Sequence, residues 1–278
     1  MRKSLMIPLV TLLILSAGTC GFKLWDISSV YFNQSQVESE LAAYRPDIQR
    51  PAGFYSEPGA SGTPPAPGNL PEIAETPGIL GETPAGYPQS EELRYENPQI
   101  AELQDEINGD VVGWLTIPGT KIDYPFVITD NDSFYLTEDV YKHSSAAGTL
   151  FMDCRCARDF SGRNTIIYGH NMKNESMFGD LKLFSDEGFF DTHTYGIIYM
   201  KDSTYTLEFF AYLAVRADDT VIYDTSAEKD MFLEYAQSNA IIYRNPEPGT
   251  KIVTLSTCAS GGLDDKRVVL LGVLHANN

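Results

Sequence analysis

Thr254-Leu255-Ser256-Thr257-Cys258 closes an apolar, β-rich run that begins at Lys251, and Arg267-Val268-Val269-Leu270-Leu271-Gly272-Val273-Leu274 opens the next one. Both runs read as strands, separated by a short Gly/Asp loop. Paired across that loop, they place Cys258 at the end of one strand and Arg267 at the start of the other, so a thiol and a guanidinium face the same end of a sheet. The four cysteines, Cys20, Cys154, Cys156 and Cys258, are too few and too unevenly spaced for a disulfide framework. A single cysteine at a strand end, with a histidine elsewhere, is the pattern of a candidate nucleophile.

Upstream, the segments Val111 to Ile117, Ile122 to Ile128, Thr149 to Met152, Asn164 to Tyr168, Tyr195 to Met200 and Tyr205 to Val215 are strand-like. In the last, Tyr205, Leu207, Phe209, Ala211, Leu213 and Val215 keep the two-residue period of a half-buried strand. Ile100, Leu103 and Ile107 have helical spacing, ended by Asn108-Gly109. Thr225-Ser226-Ala227-Glu228 has the form of a capping box ahead of Met231, Phe232 and Tyr235, which predicts a late helix. Many short strands with few helices predict a mostly β fold, a closed or nearly closed barrel. Among the histidines, His143, His193 and His275 fall in loops or the tail. His170 instead follows Thr165-Ile166-Ile167-Tyr168-Gly169, a strand ending in glycine, which points it to the same mouth as Cys258.

The N-terminal part has a different character. Arg2 and Lys3 precede an uncharged run from Leu5 to Phe22, about the length needed to cross a bilayer. The positive flank predicts a single-pass anchor over 1–22, with a cytoplasmic N-terminus and the remainder outside the cell membrane; a cleaved signal peptide is the alternative. Residues 23–90 read as an extracytoplasmic helix, Trp25 to Tyr44, followed by a Pro/Gly-rich stalk: nine of the chain's 16 prolines fall between Pro51 and Pro88. The catalytic domain is expected over 91–278. A formal net charge of −18 over 278 residues argues against nucleic acid as a partner. No metal-ligand cluster or cofactor motif emerges.

Thr254-Leu255-Ser256-Thr257-Cys258 with Arg267-Val268-Val269 resembles the signature of sortases, the cysteine transpeptidases of Gram-positive cell surfaces. Asn108-Gly109-Asp110-Val111-Val112-Gly113-Trp114-Leu115, Ile122-Asp123-Tyr124-Pro125, the segment Asn164 to Met172 and Ser176-Met177-Phe178-Gly179 resemble class B members. The resemblance implies an eight-stranded sortase-type barrel and thiol acyl transfer without a cofactor. Cys258 is implied as nucleophile, His170 as proton donor and acceptor, and Arg267 as fixed positive charge. The implied partners are a surface-protein or pilin sorting-signal peptide and an amine acceptor, either a cell-wall precursor or a pilin lysine.

For the peptide groove the resemblance implies Leu136, Ser256 and Thr257, and it also shows a departure. The family often has Asp-Asn before its Tyr-Leu pair, whereas this chain has Asn131-Asp132. Cys154 and Cys156, two apart in an expected strand, belong to no family pattern and read as incidental or exposed thiols, with a disulfide or a redox role as the alternatives. Two other functions stand beside acyl transfer to an amine: an inactive module that binds sorting peptides, and a protease releasing its product to water.

Overall fold

The computed structural model describes residues 32–47, 96–246, 251–257 and 266–277. The expected anchor over 1–22, the Pro-rich segment and Cys258 lie outside the described residues. Among the described residues no helix is long and apolar enough to cross a membrane.

Among the described residues nine strands form one sheet: β1 (Val111–Thr116), β2 (Asp123–Val127), β3 (Leu150–Met152), β4 (Asn164–Gly169), β5 (Tyr195–Met200), β6 (Ser203–Arg216), β7 (Ile242–Tyr243), β8 (Lys251–Thr257) and β9 (Lys266–Ala276). Eight of them run in the order β5-β1-β2-β3-β4-β8-β9-β6, and pairing of β5 with β6 closes the ring; β7 adds to the free edge of β6. The result is the closed eight-stranded barrel expected from the sequence. Closure removes the unpaired edges that an open sheet would expose. The pairs β2/β3 and β4/β8 are parallel, and the remaining neighbours are antiparallel.

Three apolar clusters account for the near-continuous hydrophobic runs. Leu115, Phe126, Leu150, Ile167, Ile198, Leu207, Leu255 and Leu270 fill the interior. Alternate residues Val111, Trp114, Val127, Ile197 and Tyr199 face outward, where Ile100 and Leu103 cover them. Those two come from helix α2 (Pro98–Glu102) and the wider π-helical turn Leu103–Ile107 that continues it. After a short helix α3 (Glu187–Thr192), a third cluster joins Phe210, Leu213, Val269 and Leu271 to Phe232 and Ala236 of a late helix, α4 (Lys229–Asn239).

Strand β6 departs from the expected simple alternation. Its register against β9 shifts between Phe209 and Ala211, so Leu207, Phe209 and Tyr212 point inward while Phe210, Ala211, Leu213 and Val215 pack outward. The bulge turns the apolar side of the strand over to α4. The capping box expected before α4 does not form. Glu228 occupies the cap position without a side-chain cap bond and pairs with Arg163. Asp224 instead accepts from the Ser226 amide and hydroxyl, which turns the chain earlier.

The helix expected before the Pro-rich segment is present as α1, residues 32–41, followed by a 3-10 turn, Ala42–Tyr44. It packs on the barrel. Leu41 joins the cluster of Ile100, Leu103 and Trp114, Glu38 accepts from the Tyr124 hydroxyl, and Arg45 pairs with Asp123. Residues 32–47 therefore fold together with 96–277, whereas the sequence placed this helix in a spacer ahead of the catalytic domain. The Pro-rich segment joins two parts of one folded unit.

Candidate active site

Three strand ends meet at one mouth of the barrel. Strands β4 and β8 run parallel and finish together, with Gly169 opposite Thr257. Strand β9 begins beside them: Ser256 pairs with Val269, and the Val268 amide donates to Thr257 Oγ1 at 3.0 Å. A side chain on Gly169 would meet Leu150 Cδ2 at 2.4 Å and Phe178 at 2.8 Å, so glycine is what lets β4 end against those residues. The next residue, His170, holds the following loop through its carbonyl, which accepts from the Phe178 amide at 2.9 Å. His170, Thr257, Arg267 and Leu136 line a common cavity of about 500 Å³. Cys258 is joined covalently to Thr257 and lies outside the described residues.

His170 is oriented by a backbone group. Its Nε2 lies 2.7 Å from the Leu136 carbonyl oxygen. A carbonyl only accepts, so Nε2 carries the proton and Nδ1 is the nitrogen left to exchange one. The carbonyl is presented by the short turn Phe134–Leu136. Asn131 Oδ1 fastens the start of that turn, accepting from the Ser133 amide and hydroxyl and from the Phe134 amide. Tyr135 fixes its middle: the buried hydroxyl donates to Asp110 Oδ2 at 2.8 Å and accepts from Asn108 Nδ2 at 2.7 Å. Gly148, at φ +60°, passes close enough that an added Cβ would lie 2.5 Å from the Tyr135 oxygen and 2.8 Å from the Leu136 oxygen.

Aromatic rings form one wall. Tyr168 packs between Phe151, at 5.3 Å between centroids, and Tyr223, stacked at 6.2 Å. Behind them Asp153, fully buried, accepts two hydrogen bonds from Arg155, at 2.8 and 2.6 Å, and one from the Tyr168 hydroxyl at 3.1 Å. Arg155 also donates to the Tyr223 carbonyl. Burial works to raise the Asp153 carboxyl, but the Arg155 hydrogen bonds outweigh it and hold the group below the usual carboxylate range. Burial and the neighbouring Asp153 charge push the Tyr168 phenol up, so it stays protonated as a donor.

Cys154 and Cys156 do not share a strand face, because β3 ends at Met152 and the chain turns, with the Cys156 amide on the Asp153 carbonyl. The Cys156 sulfur accepts from the Ile166 amide at 3.4 Å, and burial pushes its thiol up to about 11. The Cys154 amide donates to Asp132 Oδ1 at 2.7 Å. Donor atoms of Asp132, Asp153 and Cys154 lie within 4.8 Å of one another, a grouping not singled out in the sequence. All three residues are already tied into the hydrogen bonds just described.

Arg267 Nη1 is buried with no hydrogen-bond partner among the described residues. A buried guanidinium nitrogen left unpaired costs free energy, and Arg267 also contributes to the lining of the cavity. Of the residues the sequence assigned to a peptide groove, Leu136 and Thr257 line the cavity. Ser256 is fully buried and meets the cavity only through its bond to the Tyr223 hydroxyl, at 3.0 Å. Tyr223 and the Leu136 carbonyl were not singled out. Neither carries a sequence signal, one coming from a loop after β6 and the other from the main chain.

Comparison with known proteins agrees with this architecture. The family model for a sortase domain matches residues 115–275. Sortase B of Listeria monocytogenes is 34% identical over 205 residues, covering 70% of this chain and 83% of that protein. The solved Staphylococcus aureus sortase B–substrate complex superposes with a TM-score of 0.61 at 27% identity, covering 65% of this chain and 86% of that one. A class B sortase from Streptococcus pyogenes involved in pilus biogenesis gives a TM-score of 0.60 at 31% identity, covering 64% of this chain and 98% of its own. The chain belongs to the sortase family, in its class B. It is therefore a cysteine transpeptidase of the cell surface.

Proposed function

We propose that Cys258, His170 and Arg267 carry the reaction, and that the cavity beside Thr257 receives the sorting-signal peptide of a surface protein or pilin. Cys258 gives its thiol proton to His170 Nδ1 and the thiolate attacks the scissile carbonyl, so that a C–S bond forms and the C=O π pair moves onto oxygen as an oxyanion. The Arg267 guanidinium donates to that oxygen. The C–N bond then breaks, and the departing amine takes a proton from His170 Nδ1, since Nε2–H is held by Leu136. In the second half an incoming amine, from a cell-wall precursor or a pilin lysine, gives its proton to the same nitrogen. It attacks the thioacyl carbon, and the C–S bond breaks. A thiolate suits both halves because it is a good nucleophile and a good leaving group.

The observation that carries this proposal is the cavity that His170, Thr257 and Arg267 line together. The substrate-bound S. aureus relative and the S. pyogenes relative in pilus assembly support a peptide occupant. We also assign residues 1–22 as a single-pass anchor and 91–278 as the catalytic domain. The test is intact mass of wild type and Cys258→Ala after incubation with sorting-signal peptides. An adduct on wild type alone, released by an amine as amide, bears the proposal out. An adduct released only as acid makes the enzyme a hydrolase, and one that persists in Cys258→Ala removes that residue from the chemistry.

A further inference from the structure

Helix α1 lies over both supports of His170. The first support is the turn that presents the Leu136 carbonyl. A single amide, Asn108 Nδ2, donates to the Tyr135 hydroxyl of that turn at 2.7 Å and to the Val140 carbonyl at 2.8 Å. Val140 is buried in the apolar cluster that also holds Tyr135 and Leu41 of α1, and Val37 and Leu136 pack against that cluster. The next residue, Tyr141, donates through its hydroxyl to Glu40 of α1. The loop between is tight: Glu138 and Ser144 bridge its ends, and Asp139 Oδ1 accepts from the Tyr141 and His143 amides. The second support is the loop after His170, bridged between Asn171 and Met177, whose Phe178 amide holds the His170 carbonyl. Met177 lines a narrow cavity beneath α1 together with Val37, Leu41 and Gly148, the residue packed on the Leu136 oxygen. Val37 and Leu41, four apart on one helix face, thus close over both.

We propose that Leu41 is a positioning residue of the transpeptidase: α1 must be docked for His170 to keep its Nε2 proton on the Leu136 carbonyl. This rests on the proton-transfer role proposed for His170 above. Which nitrogen of a neutral imidazole carries the proton is set by the hydrogen bond that the ring makes. If the turn that carries Leu136 shifts, that bond is lost, and the proton is shared with Nδ1, the nitrogen that has to exchange one. Replacing Leu41 by alanine leaves a void under the helix that the surroundings refill only in part, and the loop over 138–144 loses the surface it rests on. The barrel interior is a separate cluster to which α1 contributes no residue. The barrel therefore stays closed when the helix loosens.

The test compares the full-length enzyme with Leu41→Ala, Leu41→Met and Tyr141→Phe, by nitrogen NMR of isotope-labelled histidine and by acylation kinetics with sorting-signal peptides. The His170 signals are assigned by their absence from His170→Gln. Wild type is expected to hold the proton on Nε2. In Leu41→Ala the signals should move to a mixture of the two tautomers, and kcat of the folded fraction should fall about tenfold with KM nearly unchanged. Leu41→Met refills the volume and should restore both. Tyr141→Phe removes only the bond to Glu40, and should move both readouts the same way with a loss of about threefold in kcat. If Leu41→Ala does not fold, Tyr141→Phe decides alone. Wild-type nitrogen signals in the variants, a loss confined to KM, or an equal loss in Leu41→Met overturns the proposal and leaves the transpeptidase site standing. Absence of any adduct on wild type overturns the proposed function instead, and the tautomer measurement still decides whether α1 holds the ring.

Discussion

The Leu136 carbonyl oxygen lies 2.7 Å from His170 Nε2, and Gly148 is the residue that leaves room for it. An alanine at 148 must adopt a positive φ and push its Cβ against two carbonyl oxygens. Gly148→Ala is expected to cost about 1–2 kcal/mol of stability. It should also slow acyl transfer by tenfold to a hundredfold, on the order expected for a misplaced catalytic group. Thermal melts and turnover of the folded fraction separate the two effects. Unchanged turnover with lowered stability would show that the contact does not position His170.

Arg267→Met removes the donor while keeping the stem. Its kcat for acylation should fall by roughly 100- to 1000-fold with a smaller change in KM, the pattern for a group acting on developing charge. Arg267→Lys should recover part of the loss, because a point charge replaces a planar fork. An equal loss in both variants would point to packing as the role of this side chain.

Asp153 links the aromatic wall to acid stability. Its carboxyl is held below the usual range in the folded state. Its contribution is therefore complete above the unfolded-state value of about 3.9 and fades as the pH falls through the lower folded value. Asp153→Asn should destabilise the protein at neutral pH by about 2 kcal/mol. It should also flatten the acid limb of a stability–pH curve measured by urea unfolding. A parallel curve, displaced but not flattened, would mean that the carboxylate charge is not what matters.

The thiols should separate by reactivity. Iodoacetamide at mildly alkaline pH is expected to label Cys258 first, as the nucleophile proposed here, and Cys154 more slowly. Cys156 should label only on unfolding, since burial holds its thiol near 11 and its sulfur bonds the Ile166 amide. Peptide mapping over a time course reads the order, and early modification of Cys156 would contradict the burial seen here.

The strands and the site residues at their ends were legible because they sit where apolar periodicity stops. Thr257 and Arg267 flank the break between two hydrophobic runs, and His170 follows a glycine at the end of another. Residues reached through loops or main chain were not legible in this way. Tyr223 enters the cavity from the connection between β6 and α4, and its stacking on Tyr168 depends on how that connection folds back. The bulge in β6 was hidden because both faces of that strand are covered, one by the barrel interior and one by α4, so its apolar pattern carries no phase. The end of α4 was misread for a related reason: Asp224 takes the turn that Thr225 was expected to make.

Under the anchor proposed for residues 1–22, the docking of α1 on the barrel sets how far the catalytic mouth can stand from the lipid. With 1–22 as the anchor proposed here, only residues 23–31 intervene before α1. Fully stretched, they reach about 30 Å. The proline-rich stretch leaves the folded unit after Asp47 and rejoins it at Tyr95, so lengthening or shortening it would not move the enzyme through the wall. On that proposal, a substrate has to come to this sortase within a leash's length of the bilayer, while its own sorting segment is still close to the membrane.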